Sequence, residues 1–146
     1  MTPIRSGTFN LKRFVEAQDP VYERVCSELA GGEKRSHWMW FIFPQIAGLG
    51  YSAMAARYAI TSMEEAKAYL KHPLLGPRLI ECTELVNGIS GRSIHDIFGS
   101  PDDVKFRSSM TLFAKAAPDN EVFNRALQNY FEGEYDHRTE ELLSQL

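Results

Sequence analysis

The chain has 146 residues, 44% hydrophobic and 24% charged, the balance of an ordinary globular protein long enough for one well-buried core. Its net charge of -3, with Lys and Arg scattered among Asp and Glu, supplies no basic run to neutralise a phosphate backbone, so nucleic acid is not an expected partner. No stretch is apolar for long enough to span a bilayer and the first residues hold no apolar signal core, so no membrane association is expected and the location is read as cytoplasmic.

Residues 1–7 read as a loose leader and 8–146 as a single globular helical domain. The first helix is expected at 9–17, burying Leu11, Phe14 and Val15. Asp19-Pro20 then suits a cap and a first helical position, ahead of a stripe formed by Val21, Tyr22, Val25, Cys26 and Leu29 that Gly31-Gly32 ends. Cys26 and Cys82 belong to no CxxC pair and read as separate reduced core thiols. After Glu33-Lys34-Arg35, expected in solvent, comes the stretch that organises the chain: His37-Trp-Met-Trp-Phe-Ile-Phe-Pro44-Gln45. It holds both tryptophans, and its apolar run has no readable period; its helical neighbours favour helix over strand.

Gly48 and Gly50 mark a turn before a helix at 52–59 with Met54 and Tyr58 inward. Ser62-Met-Glu-Glu65 reads as a capping box opening a helix that His72-Pro73 ends. A longer helix follows to about residue 89, with Gly76 and Pro77 tolerated in its first turn. Residues 93–98 form a short helix stopped by Gly99, and Ser100-Pro101-Asp102-Asp103 starts one that runs to about residue 117. The next covers 120–132, and Asp136 caps a last one carrying Leu142, Leu143 and Leu146. With no period-two alternation and no hairpin signal, the expected fold is all-α: an irregular, orthogonal bundle of seven or more short helices around the Trp/Phe-rich segment.

Two cations interrupt apolar arcs. On the helix after Ser100, Leu112, Ala116, Phe113, Phe106 and Met110 share a side with Lys105, Ser109 and Asp102, while Asp103, Arg107, Thr111, Lys115 and Ser108 take the solvated side. Arg78 lies within the arc of the 74–89 helix. A buried ammonium or guanidinium needs an anion. For Lys105 that is Asp102, the rim of the core or an anionic ligand; for Arg78 it is Glu81, Glu84, a helix C-terminus or a ligand acid. His37 and Gln45 put polar groups at both mouths of the aromatic wall, as small-molecule pockets do, although a cap and a turn hydrogen bond are the structural readings. His72, His95 and His137 lack a second ligand at helical spacing, so no metal and no cofactor are expected.

The segments His37 to Gln45, Gly48-Leu-Gly50, Tyr69-Leu-Lys-His-Pro73, Leu75-Gly-Pro-Arg-Leu79 and Ser108-Ser-Met-Thr-Leu-Phe113 together resemble the largely bacterial family called domain of unknown function eighteen-ten. The likeness runs from about Phe9 to Leu143, with Phe106 where the family pattern has leucine. The family is uncharacterised, so the resemblance assigns no catalytic or binding residue. The name calpastatin, sometimes attached to it, does not suit this chain: calpastatin is long, repetitive and disordered, and this chain is patterned to fold.

The functional expectation is a pocket between the 37–45 wall and the helices of Arg78 and Lys105, binding a small anionic metabolite, a nucleotide among the candidates. His37, Trp40, Gln45, Arg78, Asp102, Lys105 and Ser109 would line it, with Lys105 or His37 as acid/base group were a reaction catalysed. The alternative is a non-catalytic interaction or regulatory module whose inward polar residues only fix helix register.

Overall fold

Residues 9–146 are described by a computed structural model, and the leader expected at 1–7 lies outside them. Among the described residues there are ten helices and no strand: α1 (Lys12–Gln18), α2 (Tyr22–Ala30), α3 (Met39–Ile42), α4 (Ala53–Tyr58), α5 (Met63–Lys71), α6 (Leu75–Asn87), α7 (Ile94–Phe98), α8 (Asp102–Ala116), α9 (Glu121–Phe131) and α10 (His137–Ser144). None is long and apolar enough to cross a membrane.

Helix α8 is the hub, packed against α5, α7, α9 and α10, while α6 lies on α2, α5 and α9. Its burial goes further around than its apolar arc suggests. Ser108 and Thr111, expected in solvent, are buried, because α10 and the turn before it close over them. The polar groups there satisfy one another. The Thr111 hydroxyl accepts from the Asp136 amide at 2.9 Å, and the Ser108 hydroxyl donates to the Asp136 carboxylate, which also caps α10 through the Thr139 amide.

The 38–43 run forms a single helical turn, α3, which Pro44 ends. Trp38 is 1% exposed, and Phe43 stands perpendicular to Phe106 at 5.0 Å, with Phe98 stacked on Phe106 at 4.9 Å. Such ring pairs contribute about 0.5–1.5 kcal/mol each beyond area burial. The indole N–H of Trp38 donates to Glu28 Oε1 at 2.9 Å, and the same carboxylate takes the amides of Arg35 and Ser36 and the Ser36 hydroxyl. Glu28 thereby fixes the approach to α3 from α2. Burial works against its charge, but these hydrogen bonds outweigh it and hold the carboxyl down at about 2.

Several helix starts differ from expectation. Asp19 ends α1 instead of capping α2, which begins at Tyr22 without a side-chain cap, and its carboxylate turns to Arg78. Ser100 does not cap α8 either; Pro101 occupies that position. Ser62 does cap α5, but Glu65 does not return the bond. It accepts from the Thr61 amide and hydroxyl and pairs with Arg13 at 3.2 Å. The reciprocal capping box falls at Ser93 and Asp96 on α7. Gly76 is required rather than tolerated: a Cβ there would sit 2.0 Å from the Leu70 carbonyl oxygen, so only glycine lets the start of α6 meet the end of α5.

Between α3 and α4 the chain has no regular structure and is pinned by a two-residue bridge. The Ala47 amide donates to the Ile60 carbonyl at 2.8 Å, and the Ile60 amide to the Gln45 carbonyl at 2.9 Å. This holds Gln45 and the 46–52 loop over α4, where the site lies.

Candidate functional site

The 46–52 loop borders two adjoining hollows. One, of about 250 Å³, is walled by Trp40, Gln45, the loop and α4. The other, of about 410 Å³, is walled by the loop, Pro101, Val104, Lys105 and Ser108 of the α8 start, and Asp136 and Arg138 of the α10 start. Gln45, Leu49, Gly50 and Ala55 border both, so the two hollows adjoin and are taken together as the cleft. Gly50 is tightly seated: a Cβ on it would lie 2.8 Å from that of Ala55. At the rim Tyr51 is 95% exposed.

Lys105 projects from the first turns of α8 into this cleft. Its ammonium lies 5.1 Å from the centre of the Trp40 ring, a cation–π distance, and 3.8 Å from Asp102 Oδ1. Asp102 is more closely engaged elsewhere, with Oδ2 2.7 Å from Lys34 Nζ. The Lys34 side chain is only 8% exposed and stands over the Trp38 ring at 5.1 Å, although it lies in a charged run that reads as solvated. Two ammoniums thus share one carboxylate. The trio carries one positive charge in excess, and Lys105, 26% exposed, is its cleft-facing member.

Of the residues singled out in the sequence, Trp40, Gln45, Lys105 and Asp102 are brought together at this cleft or directly behind it. Arg78 is not among them. Its guanidinium bonds Gln18 Oε1 at 3.2 Å and Asp19 Oδ1 at 3.0 Å and covers the Tyr22 ring at 4.6 Å, tying α6 to the α1–α2 junction. Neither Glu81 nor Glu84 pairs with it, and it shares no partner with Lys105; the pocket common to both cations is absent from this geometry. Gln18 is itself buried, donating to the Phe41 carbonyl at 2.7 Å and the Tyr69 hydroxyl oxygen at 3.0 Å. His37 is exposed ahead of α3 and does not line the cleft. Ser109 is fully buried one turn beyond Lys105, its hydroxyl without a partner among the described residues.

The sequence reading missed Lys34, Ser108, Asp136, Arg138 and Tyr51. Lys34 sits between Glu33 and Arg35 and shows no local sign of burial. Ser108, Asp136 and Arg138 meet through the docking of α10 on α8, a contact between segments about thirty residues apart that no periodicity reports, and Tyr51 reaches the rim on the 46–52 loop.

The chain matches, over residues 8–143, the family described as "Protein of unknown function (DUF1810)". It is also similar to a solved structure, that of the conserved hypothetical protein Rv1873 from Mycobacterium tuberculosis. The two share 60% identity and superpose with a TM-score of 0.92, covering 93% of this chain and 97% of that one. None of the curated proteins matches. With the family matched over nearly its whole length, the chain belongs to DUF1810.

Proposed function

We propose that the protein binds a small anionic metabolite, of nucleotide-like size and flatness, in the cleft between Trp40, Gln45, the 46–52 loop and Lys105. The observation that carries this reading is the excess positive charge of the Lys34–Asp102–Lys105 trio, which faces a hollow instead of being closed off by protein. A buried or half-buried cation lacking a full counter-charge favours an anion in the space beside it. Trp40 and Tyr51 supply aromatic surface for a flat group, and the Gln45 amide a donor and an acceptor at the border between the two hollows. Arg138, which pairs with Glu141 at 3.4 Å, brings a second cation to the wall it shares with Asp136.

The test is a thermal-shift screen of the purified chain with mononucleotides, sugar phosphates and small dicarboxylates. A ligand at 100 times its dissociation constant adds about 2.7 kcal/mol of stability. Lys105→Met is expected to abolish that gain while leaving the unliganded protein within about 1 kcal/mol of its starting stability. Absence of any stabilising anion, or a gain that survives Lys105→Met, contradicts the reading.

A second reading draws on Arg78. Because Gln18, Asp19 and the Tyr22 ring already take up that guanidinium, an inward cation of this fold is used for packing, as in a non-catalytic interaction module. In that case no metabolite stabilises the protein, and Lys105→Met is neutral throughout.

A further inference from the structure

The Asp136 carboxylate is only half engaged by the protein. Its backbone amide donates to the Thr111 hydroxyl oxygen at 2.9 Å, while the carboxylate receives the Ser108 hydroxyl at 3.1 Å, the Thr139 amide at 3.0 Å and the Thr139 hydroxyl, all three on Oδ2. A helix cap needs only one of these bonds, and the others lock the side chain in place. Oδ1 has no partner among the described residues, and Asp136 stands in the wall of the hollow of about 410 Å³ that also holds Lys105. No ion pair joins the two. The Lys105 ammonium reaches back towards Asp102, whereas Asp136 meets α8 at Ser108, and the helix rises about 9 Å between those two positions. The hollow therefore has a donor pole and an acceptor pole held apart.

We propose that the cleft selects ribonucleotides by their sugar hydroxyls, with Asp136 Oδ1 accepting from the ribose while Lys105 holds the phosphate. The inference rests on the metabolite-binding reading above and names the group that gives it specificity. A bare anion satisfies Lys105 alone and meets Asp136 as a like charge. An anion that also carries hydroxyls satisfies both poles, because a hydroxyl donates to a carboxylate and adds no charge of its own. Such a site discriminates sharply: an analogue lacking the hydroxyls takes the water away from Oδ1 and gives it no donor in return. With Oδ2 taken three times over, Asp136 cannot swing away without losing the α10 cap and the Ser108 contact, so the acceptor is in position before the ligand arrives.

The test is isothermal titration of the full chain with adenosine and uridine 5′-monophosphates and with their 2′,3′-dideoxy counterparts, in the wild type and in Asp136→Asn. Asparagine keeps an oxygen for the Thr139 amide and caps helices about as well as aspartate, but it puts a donor where Oδ1 was an acceptor. In the wild type the dideoxy compounds are expected to bind about 10–100-fold more weakly than the ribonucleotides, and in Asp136→Asn that gap is expected to close. Equal affinities in the wild type overturn the proposal while leaving an anion site at Lys105. A gap that persists in Asp136→Asn, or an α-amino acid that binds more tightly than the ribonucleotides, overturns it as well. If neither kind of nucleotide binds, the metabolite reading falls and this inference with it. The wild-type comparison decides the matter even if Asp136→Asn does not fold.

Discussion

Asp102 holds Lys34 at 2.7 Å with one carboxylate oxygen and leaves only 3.8 Å, on the other, for Lys105. The inequality assigns the two lysines different work. Lys34 is buried against Trp38 and depends on Asp102 as its counter-ion, so it belongs to the fold. Lys105 borrows part of that charge and keeps part of its own for the cleft.

Asp102→Asn is therefore expected to destabilise the protein by about 3 kcal/mol, since it leaves the 8%-exposed Lys34 side chain without its counter-ion, whereas Lys105→Met costs no more than about 1 kcal/mol. Urea denaturation of the two variants checks the difference. Equal losses would mean that Lys105, not Lys34, is the structural partner.

Acid unfolding should report Glu28. Its folded-state carboxyl lies near 2 against an ordinary value of 4.5, so the unfolded chain takes up the proton first. The stability it contributes, about 2 kcal/mol after allowance for partial exposure, is fully present above pH 4.5 and is lost as pH falls towards 2. Glu28→Gln removes the carboxylate that receives the Trp38 indole and two backbone amides, so its urea midpoint should change little with pH across that window. A wild-type slope retained in Glu28→Gln would move the titration to another acid.

Gly76 and Gly88 offer a matched pair. Ala at 76 collides with the Leu70 carbonyl and is expected to cost about 3 kcal/mol or prevent folding. Ala at 88, where the nearest atoms to a Cβ are 3.5 Å and 3.6 Å away, should be neutral or stabilising by about 0.5 kcal/mol. Thermal melts of both variants separate close approach from general intolerance at helix ends.

Gln18→Leu keeps the volume roughly but removes the donor to the Phe41 carbonyl and the acceptor for Arg78, leaving buried groups without partners. A loss of about 1–3 kcal/mol is expected. Tyr69→Phe, which deletes only a hydroxyl that accepts from Gln18, should cost about 1 kcal/mol. The reverse order would place the weight of this network on Tyr69.

The all-helical fold was legible because each long helix announces itself by an apolar stripe and a stop, and the aromatic run could be placed at the core because nothing else in the chain could cover two tryptophans. Within that frame, Lys105 and Arg78 were both recognisable as cations on apolar arcs. Asp102 was named as a carboxylate for Lys105 and lies 3.8 Å from it, but the acid that Arg78 finds was not legible, because Asp19 reaches it through long-range packing. Asp19 read as a cap by local rules and serves as an ion-pair partner, while Lys34 read as solvated and is buried. The parts of the cleft that escaped, the 46–52 loop and the α10 start, are brought in by the Ile46–Ile60 bridge and the docking of α10 on α8.

The Lys105 cleft is tested most directly by NMR titration of the isotopically labelled chain with the best stabilising anion, or with a mononucleotide series if none stands out. The expected result is saturable movement of the Trp40 indole and of the Gly48 and Gly50 amides, with the Trp38 indole unchanged behind its Glu28 hydrogen bond. Movement centred elsewhere in the fold, or none at millimolar ligand, would contradict a binding site at this cleft.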